Sequence, residues 1–457
     1  MILLHHHDPL SRRKFLLATA SAGLLAACAS RVPAEPADTV RAPTMTSLLA
    51  AQAVPIRHLV PDDPGVVALA RRLAASQMAG LGEATHGSHQ DAQLKSVLVQ
   101  NMVENHGLRL VLLEANRTGV AQFDAYASAA PTGLLAADAV RQAPVFSILK
   151  TEVMADLLTW LRGWNAVNAD RRVRVVGVDC QASSIDAGDA LAALATVDSG
   201  AADAIAVALA PILTAEARAA RHDLMLKQIA SAQRLEAEAA CRMLEAELQR
   251  AGLEDAAFTA RRAWQGLNAF EYETSDGDMS RATREYWSRR DVFMAENALF
   301  VAQSEPTVLW GHNIHVAGGR PGGQSAGYVP SGAILRDRLG AGYTALVQEF
   351  AEATFLALPA GAGEAPDAAP VTIARTARPD TLNALLASAS GQTAWFDLAD
   401  LPQNSMVAQW RETPIGLEWY GAKASSEPQT SDVLTVPPGS LFDVMVIHPE
   451  LTPSRML

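Results

Sequence analysis

Met78-Ala79-Gly80-Leu81-Gly82-Glu83-Ala84-Thr85-His86-Gly87-Ser88-His89 opens as a four-residue apolar run and ends in ionisable groups. Three further runs follow the same plan. Residues 108–113 lead into Glu114-Ala115-Asn116-Arg117, residues 173–178 into Asp179-Cys180-Gln181, and residues 307–310 into Gly311-His312-Asn313-Ile314-His315. Each run is short, rich in Leu and Val, and lacks polar alternation. That is the pattern of a strand buried on both faces of a parallel sheet. Between them, residues 93–105, 149–168 and 282–302 place apolar side chains at three- and four-residue spacing, as amphipathic helices do. Strand, helix and strand in alternation predict an α/β fold, with a mostly parallel sheet flanked by helices.

Open α/β sheets bind ligands at the carboxyl ends of their strands. All four predicted ends carry ionisable groups: Glu83, His86, Glu114, Asp179, His312 and His315. A His beside a carboxylate is a minimal kit for activating water, because imidazole takes and returns a proton near neutral pH. His86 with Glu83 or Glu114 fits that role, and His312 or His315 suits donation to a developing oxyanion. The same residues offer a second chemistry. His86, Glu114, His312 and His315 are enough ligands for a divalent metal with one position open to water. No cofactor is required by the sequence. A metal- or haem-binding envelope lipoprotein and a metal-dependent peptidase or amidase therefore stand as alternatives to an ester hydrolase.

The 457 residues are 49% hydrophobic and 19% charged, which excludes a disordered or fibrous chain. The net charge of −12 argues against nucleic-acid binding, which needs clustered positive charge. Three Cys cannot build a disulfide scaffold. Gly323-Gln324-Ser325-Ala326-Gly327 matches the nucleophile elbow of serine hydrolases. That elbow needs a strand before the Ser and a helix after it, and the Gly- and Pro-rich flanks supply neither. The expectation is a chance match in a loop over the site. Cys180 and Cys241 read as packed residues, as do Trp160, Trp164 and Trp287, with a border of the cleft as the alternative for Trp287 beside Arg290.

The segments Gly82 to His89, Leu112-Leu113-Glu114, Gly177-Val178-Asp179-Cys180-Gln181 and Trp310-Gly311-His312-Asn313-Ile314-His315-Val316 resemble the erythromycin esterase family. Weaker matches are Trp160 to Asn165, Arg290-Asp291 through Asn297, and Gly332 to Tyr343. The resemblance spans about residues 65–360. It implies an α/β core with added helices and hydrolysis of a carboxylic ester or a macrolide lactone, so the partner is a small-molecule ester. It implies that His86 is the general base, that Glu83 and Glu114 are its partners, and that His312 and His315 line the cleft and polarise the carbonyl. Lys95, Arg117, His89 and Asp179 are the candidate substrate contacts. Lys95 stands where the family often has Arg, and Gln90 where Glu is common.

The ends of the chain read differently. Ser11-Arg12-Arg13-Lys14 precedes an apolar stretch that closes in Leu25-Ala26-Ala27-Cys28. A twin arginine before a short apolar run, then small residues before a Cys, reads as a Tat-type lipoprotein signal over 1–27 with lipidation at Cys28. The expected location is the periplasmic side of the envelope, held to the membrane by lipid. Removing 1–27 takes away three positive charges and one negative, so −12 becomes −14. Pro-rich residues 28–62 read as a tether, and 63–360 as the α/β domain. Residues 201–272 read as a helical excursion that borders the sheet, or as a surface pair with no part in the site. Residues 361–457 read as a small C-terminal extension whose strands, near 394–398 and 442–447, join the sheet edge or form a subdomain.

Overall fold

The computed structural model describes residues 44–128, 133–214, 222–274, 279–321, 327–360, 369–429 and 432–457. The signal segment, Cys28 and residues 323–326 of the glycine-rich motif, Ser325 among them, lie outside the described residues.

Twelve strands lie among the described residues: β1 Val54–Pro55, β2 Met78–Leu81, β3 Leu110–Asn116, β4 Arg174–Asp179, β5 Thr307–Trp310, β6 Tyr343–Pro359, β7 Val371–Thr376, β8 Ala394–Asp397, β9 Ile415–Glu418, β10 Lys423–Ala424, β11 Val433–Val436 and β12 Val444–Leu451. The main sheet runs β1-β8-β12-β6-β2-β5-β3-β4, with β7 and β10 also on β6, and β9 pairs with β11 apart from it. From β12 to β4 every neighbour is parallel. β8, β1 and β7 are antiparallel additions. The mixed α/β sheet expected from the sequence is therefore present, with helices on both faces.

Successive side chains of a strand face opposite sides, and here each side meets its own core. Leu81, Leu113 and Trp310 point into one cluster with the helices Pro64–Leu73, His89–His106 and Glu152–Val167. Met78, Leu112 and Leu309 point into another with Met294, Ala295 and Ala298 of the helix Met279–Ala302. This two-sided burial is why the strands read as unbroken apolar runs.

Local signals place the helix ends. Asp63 caps Pro64–Leu73 by accepting the amides of Gly65 and Val66, with Pro at the first helical position, where its missing N–H costs nothing. His89–His106 closes at Gly107, whose φ is +72°, in the left-handed region that favours glycine. It begins four residues before the expected 93, because the His89 N–H is satisfied by Thr452 O at 2.8 Å, a partner near the other end of the chain.

Two boundaries differ from the sequence reading. The tether does not extend to residue 62: Met45–Gln52 is a capped helix, and Val54 and Pro55 pair with Trp395 and Ala394. Residues 361–457 are woven into the sheet, since β12 lies between β6 and β8. The described residues from 199 to 274 are helical as expected. Together with Ser183–Ala195 they bury a cluster of their own around Ala240, Leu244, Ala260 and Leu267.

Candidate active site

The four strand ends that carry the ionisable residues are adjacent, in the order β2, β5, β3, β4. The pairing of β3 with β4 shifts register between Leu113 and Asn116. A bulge of this kind re-aims a side chain next to a site, and Glu114 sits in it. Glycines face it. A Cβ on Gly177 would come within 2.4–2.6 Å of the Ala115 and Asn116 backbone, and one on Gly311 within 3.1 Å of Glu114 Oε2.

His86 and Glu83 form the first half of the site. His86 Nδ1 lies 2.6 Å from Glu83 Oε1, and Lys95 Nζ lies 2.5 Å from Glu83 Oε2. Burial alone would raise the Glu83 pKa. The Lys95 ammonium and the His86 hydrogen bond and charge overcome it and bring the group to about 2. Glu83 is thus an anion, so Nδ1 of His86 carries a proton. The ring's Nε2 has no hydrogen-bond partner among the described residues, and the His86 side chain keeps some exposure.

Glu114 organises the second half. Its Oε2 accepts the His312 backbone N–H at 2.9 Å. Its Oε1 meets Arg290 Nη2 at 2.9 Å and His315 Nε2 at 3.2 Å. Burial works against the anion here too, but the charges of His315, Arg290 and His86 hold Glu114 well below the usual carboxylate range. Arg290 also forks onto Asp179, Nε to Oδ1 at 3.0 Å and Nη2 to Oδ2 at 2.7 Å, and packs on Trp287. Two parallel charge-assisted bonds of this kind fix the plane of the guanidinium.

The two histidines of the β5 loop differ in charge. His315 Nδ1 donates to Asp291, 2.9 Å from each carboxylate oxygen. Asp291 is fully buried and also takes the Tyr328 hydroxyl at 2.7 Å and the Ser331 amide at 2.9 Å. Burial opposes the charged ring, yet Asp291 and Glu114 raise the His315 pKa to about 10, so it is an imidazolium. Its 3.2 Å approach to Arg290 Nη1 is then a contact of two donors, bridged by Glu114. For His312, burial and the neighbouring His86 and His315 lower the pKa to about 3, so the ring is neutral. His312 Nδ1 accepts the Ile314 N–H at 3.3 Å, which leaves Nε2–H to donate to Tyr420 O at 3.2 Å. The His86 and His312 rings lie 4.9 Å apart, and Trp419 packs 5.7 Å from His312.

Glu83, His86, Glu114, Asp179, His312 and His315 therefore come together as the strand ends suggest. The expected substrate contacts fare differently. Lys95 is wholly buried beneath Glu83 and Gly311, so it orients a carboxylate and does not reach a ligand. Asp179 is also fully buried and serves to hold Arg290. His89 starts a helix, and its charged neighbours are Arg455 and Glu152, outside the constellation. Arg117 turns to the helical excursion and pairs with Asp255 at 3.1 Å. Arg290, Asp291, Tyr328, Trp419 and Tyr420 are not among the expected site residues. Arg290 and Asp291 lie mid-helix among other charged residues, where periodicity does not mark them; the signal that does is the family resemblance of residues 290–297.

The donor set does not fit a metal. Among the described residues no group of three or more His, Cys, Asp or Glu converges on one position. His86 Nδ1, both His312 nitrogens and both Glu114 oxygens are engaged, and the space shared by Glu114, Asp179 and His315 is filled by the Arg290 guanidinium. His86, Glu114, His312 and His315 thus do not form the expected ligand set.

Three solved structures share the fold. A Bacillus cereus protein matches with a TM-score of 0.74 at 18% identity, over 90% of this chain and 98% of its own. A succinoglycan biosynthesis protein matches at 0.73 and 16%, again over 90% and 98%. A mutant of the erythromycin esterase EreC in its open conformation matches at 0.62 and 16%, over 85% of this chain and 94% of that one. No curated protein matches. A family model described as Erythromycin esterase matches residues 103–451, so family likeness continues well past residue 360 into the strands that complete the sheet. With well over half of its length matched, the chain belongs to the erythromycin esterase family.

Proposed function

We propose that the protein hydrolyses a carboxylic ester or lactone with water activated by His86. The observation that carries this reading is the His86–Glu83–Lys95 chain. It puts a proton on Nδ1 and leaves Nε2 unpartnered, so the neutral ring has its lone pair on Nε2. In this scheme Nε2 takes a proton from water, and the water oxygen attacks the carbonyl carbon. The tetrahedral oxyanion develops near the imidazolium of His315, whose charge is set by Asp291 and Glu114, and a fixed positive group stabilises such an oxyanion. The C–O ester bond then breaks, and His86 returns its proton to the leaving alkoxide, giving an acid and an alcohol. The nitrogens of both His312 and His315 are engaged in this arrangement, so His315 acts through its charge, and the neutral His312 shapes the cleft beside His86.

The test is a panel of activated esters and macrolides. His86→Ala should lower kcat/KM by at least about a hundredfold, the typical worth of a general base, and Ser325→Ala should leave it unchanged. Retained turnover in the first variant would refute the scheme. Loss in the second would favour the serine nucleophile. The lipid anchor at Cys28 belongs to the same proposal. Cells expressing Cys28→Ser should release the protein from the membrane fraction; equal retention of both forms would remove it.

A further inference from the structure

The loop that carries Glu83 and His86 rests on a buried carboxylate that the catalytic scheme does not use. Asp91 lies in the first turn of the helix His89–His106 and is fully buried. Its Oδ2 accepts the Ala84 amide at 3.1 Å and the Ser88 hydroxyl at 2.6 Å. One oxygen therefore ties together both ends of the segment 84–88, with His86 at its middle. We propose that Asp91 is the positioning residue of the general-base loop and acts purely as an acceptor, so that its hydrogen bonds and not its charge set the placement of His86.

The surroundings favour that form of action. No Lys or Arg among the described residues forms an ion pair with Asp91; the one ion-pair contact is the His448 ring at 3.9 Å. The other ionisable groups acting on it are Glu83, Lys95 and Glu349. Its Oδ1 has no hydrogen-bond partner among the described residues. Burial, reinforced by Glu83, lifts the carboxyl to about 7 against the Ser88 and Ala84 hydrogen bonds and the Lys95 charge. A group that changes charge near neutrality, yet keeps Oδ2 as an acceptor in both states, is suited to hold a loop and unsuited to supply a field. The outer side of the same segment is held by backbone alone, with Gly87 O accepting from Ser454 and Leu356, and Ala84 O from Tyr420. Asp91 is the side chain that grips it from within. Gln90, where the family often has Glu, faces the other way and pairs with Thr452.

This inference rests on His86 being the base, so its test carries a readout that does not need turnover. Amide hydrogen exchange of residues 84–88 and ester kinetics are measured for wild type, Asp91→Asn, Asp91→Ala and Ser88→Ala. The Asn variant keeps an oxygen acceptor and should retain protection at Ala84 and kcat within about threefold. The Ala variant should lose that protection and, with His86 displaced, drop kcat by up to about a hundredfold at unchanged KM. Ser88→Ala, a small truncation that spares the fold, should fall between them. Wild-type protection in the Asp91→Ala and Ser88→Ala variants, or an Asn variant as impaired as the Ala variant, would overturn the proposal. If wild type turns over no ester but the exchange pattern holds, the hydrolase reading fails and the positioning role stands.

Discussion

His312 and His315 are one helical turn apart, and their surroundings drive them in opposite directions. His312 has only backbone partners and is neutral; His315 has Asp291 on one nitrogen and Glu114 near the other and is charged. The His315 pKa is raised from 6.5 to about 10. Its ion pairing thus stabilises the fold fully below about pH 6.5 and is lost as pH rises through about 10. Glu83, lowered from 4.5 to about 2, contributes above 4.5, and that contribution is lost as pH falls through about 2. Thermal melts across pH should therefore carry an acid limb to which Glu83 contributes and an alkaline limb to which His315 contributes. Asp291→Asn should flatten the alkaline limb and leave the acid limb intact; an unchanged alkaline limb would show that His315 is not held charged by Asp291. The residues at strand ends were legible because a buried apolar run that stops at a charge marks the carboxyl end of a strand. The sorting of His89 and Arg117 was not, because three residues of spacing do not say whether a side chain faces the cleft or starts the next helix.

At the scale of elements, the short parallel strands were readable and the longest was not. β6 runs from Tyr343 to Pro359, yet it carries Gln348 and Glu349 at its centre, both fully buried. These break the apolar run, and only tertiary partners explain them. Gln348 holds Gly82 O and Asp91 O, and Glu349 takes the amides of Asn313 and Asn383. Burial pushes Glu349 well above the usual carboxylate range, which suits a group bonded to neutral amides. The strand is thus a polar spine under the β2 and β5 loops. A second element-level device is the β3 bulge. Its space is kept by Gly177, whose added methyl would meet backbone oxygens that have no rotamer with which to yield. Gly177→Ala should cost about 1–3 kcal/mol by overpacking, read from chemical denaturation. It should also displace Glu114 and lower kcat. A variant with wild-type stability and activity would mean that the bulge is free to relax.

The whole molecule explains why the C-terminal hundred residues were hard to assign. Their strands are short, their connections rich in Pro and Ala, and their partners lie far away in sequence. β12 pairs with β6 on one side and β8 on the other, so it fills the sheet from within. Tyr420, from the same region, accepts His312 Nε2–H through its carbonyl and donates its amide to Ala84 O. Residues 452–454 bind Gln90, His89 and Gly87 beside His86. A chain ended at residue 360 would thus lose a core strand, leave the β6 edge unpaired along seven residue pairs, and free the loops of both His86 and His312. Exposed long strand edges pair with other chains. Such a truncation should show no cooperative unfolding transition and should aggregate, whereas a chain ended at 451 keeps the sheet. The shorter tail should still cost kcat, because it releases Gly87 and His89. Calorimetry and light scattering on the two truncations separate these outcomes. A folded, active 360-residue form would show that the C-terminal strands are an accessory to the sheet and not part of its core.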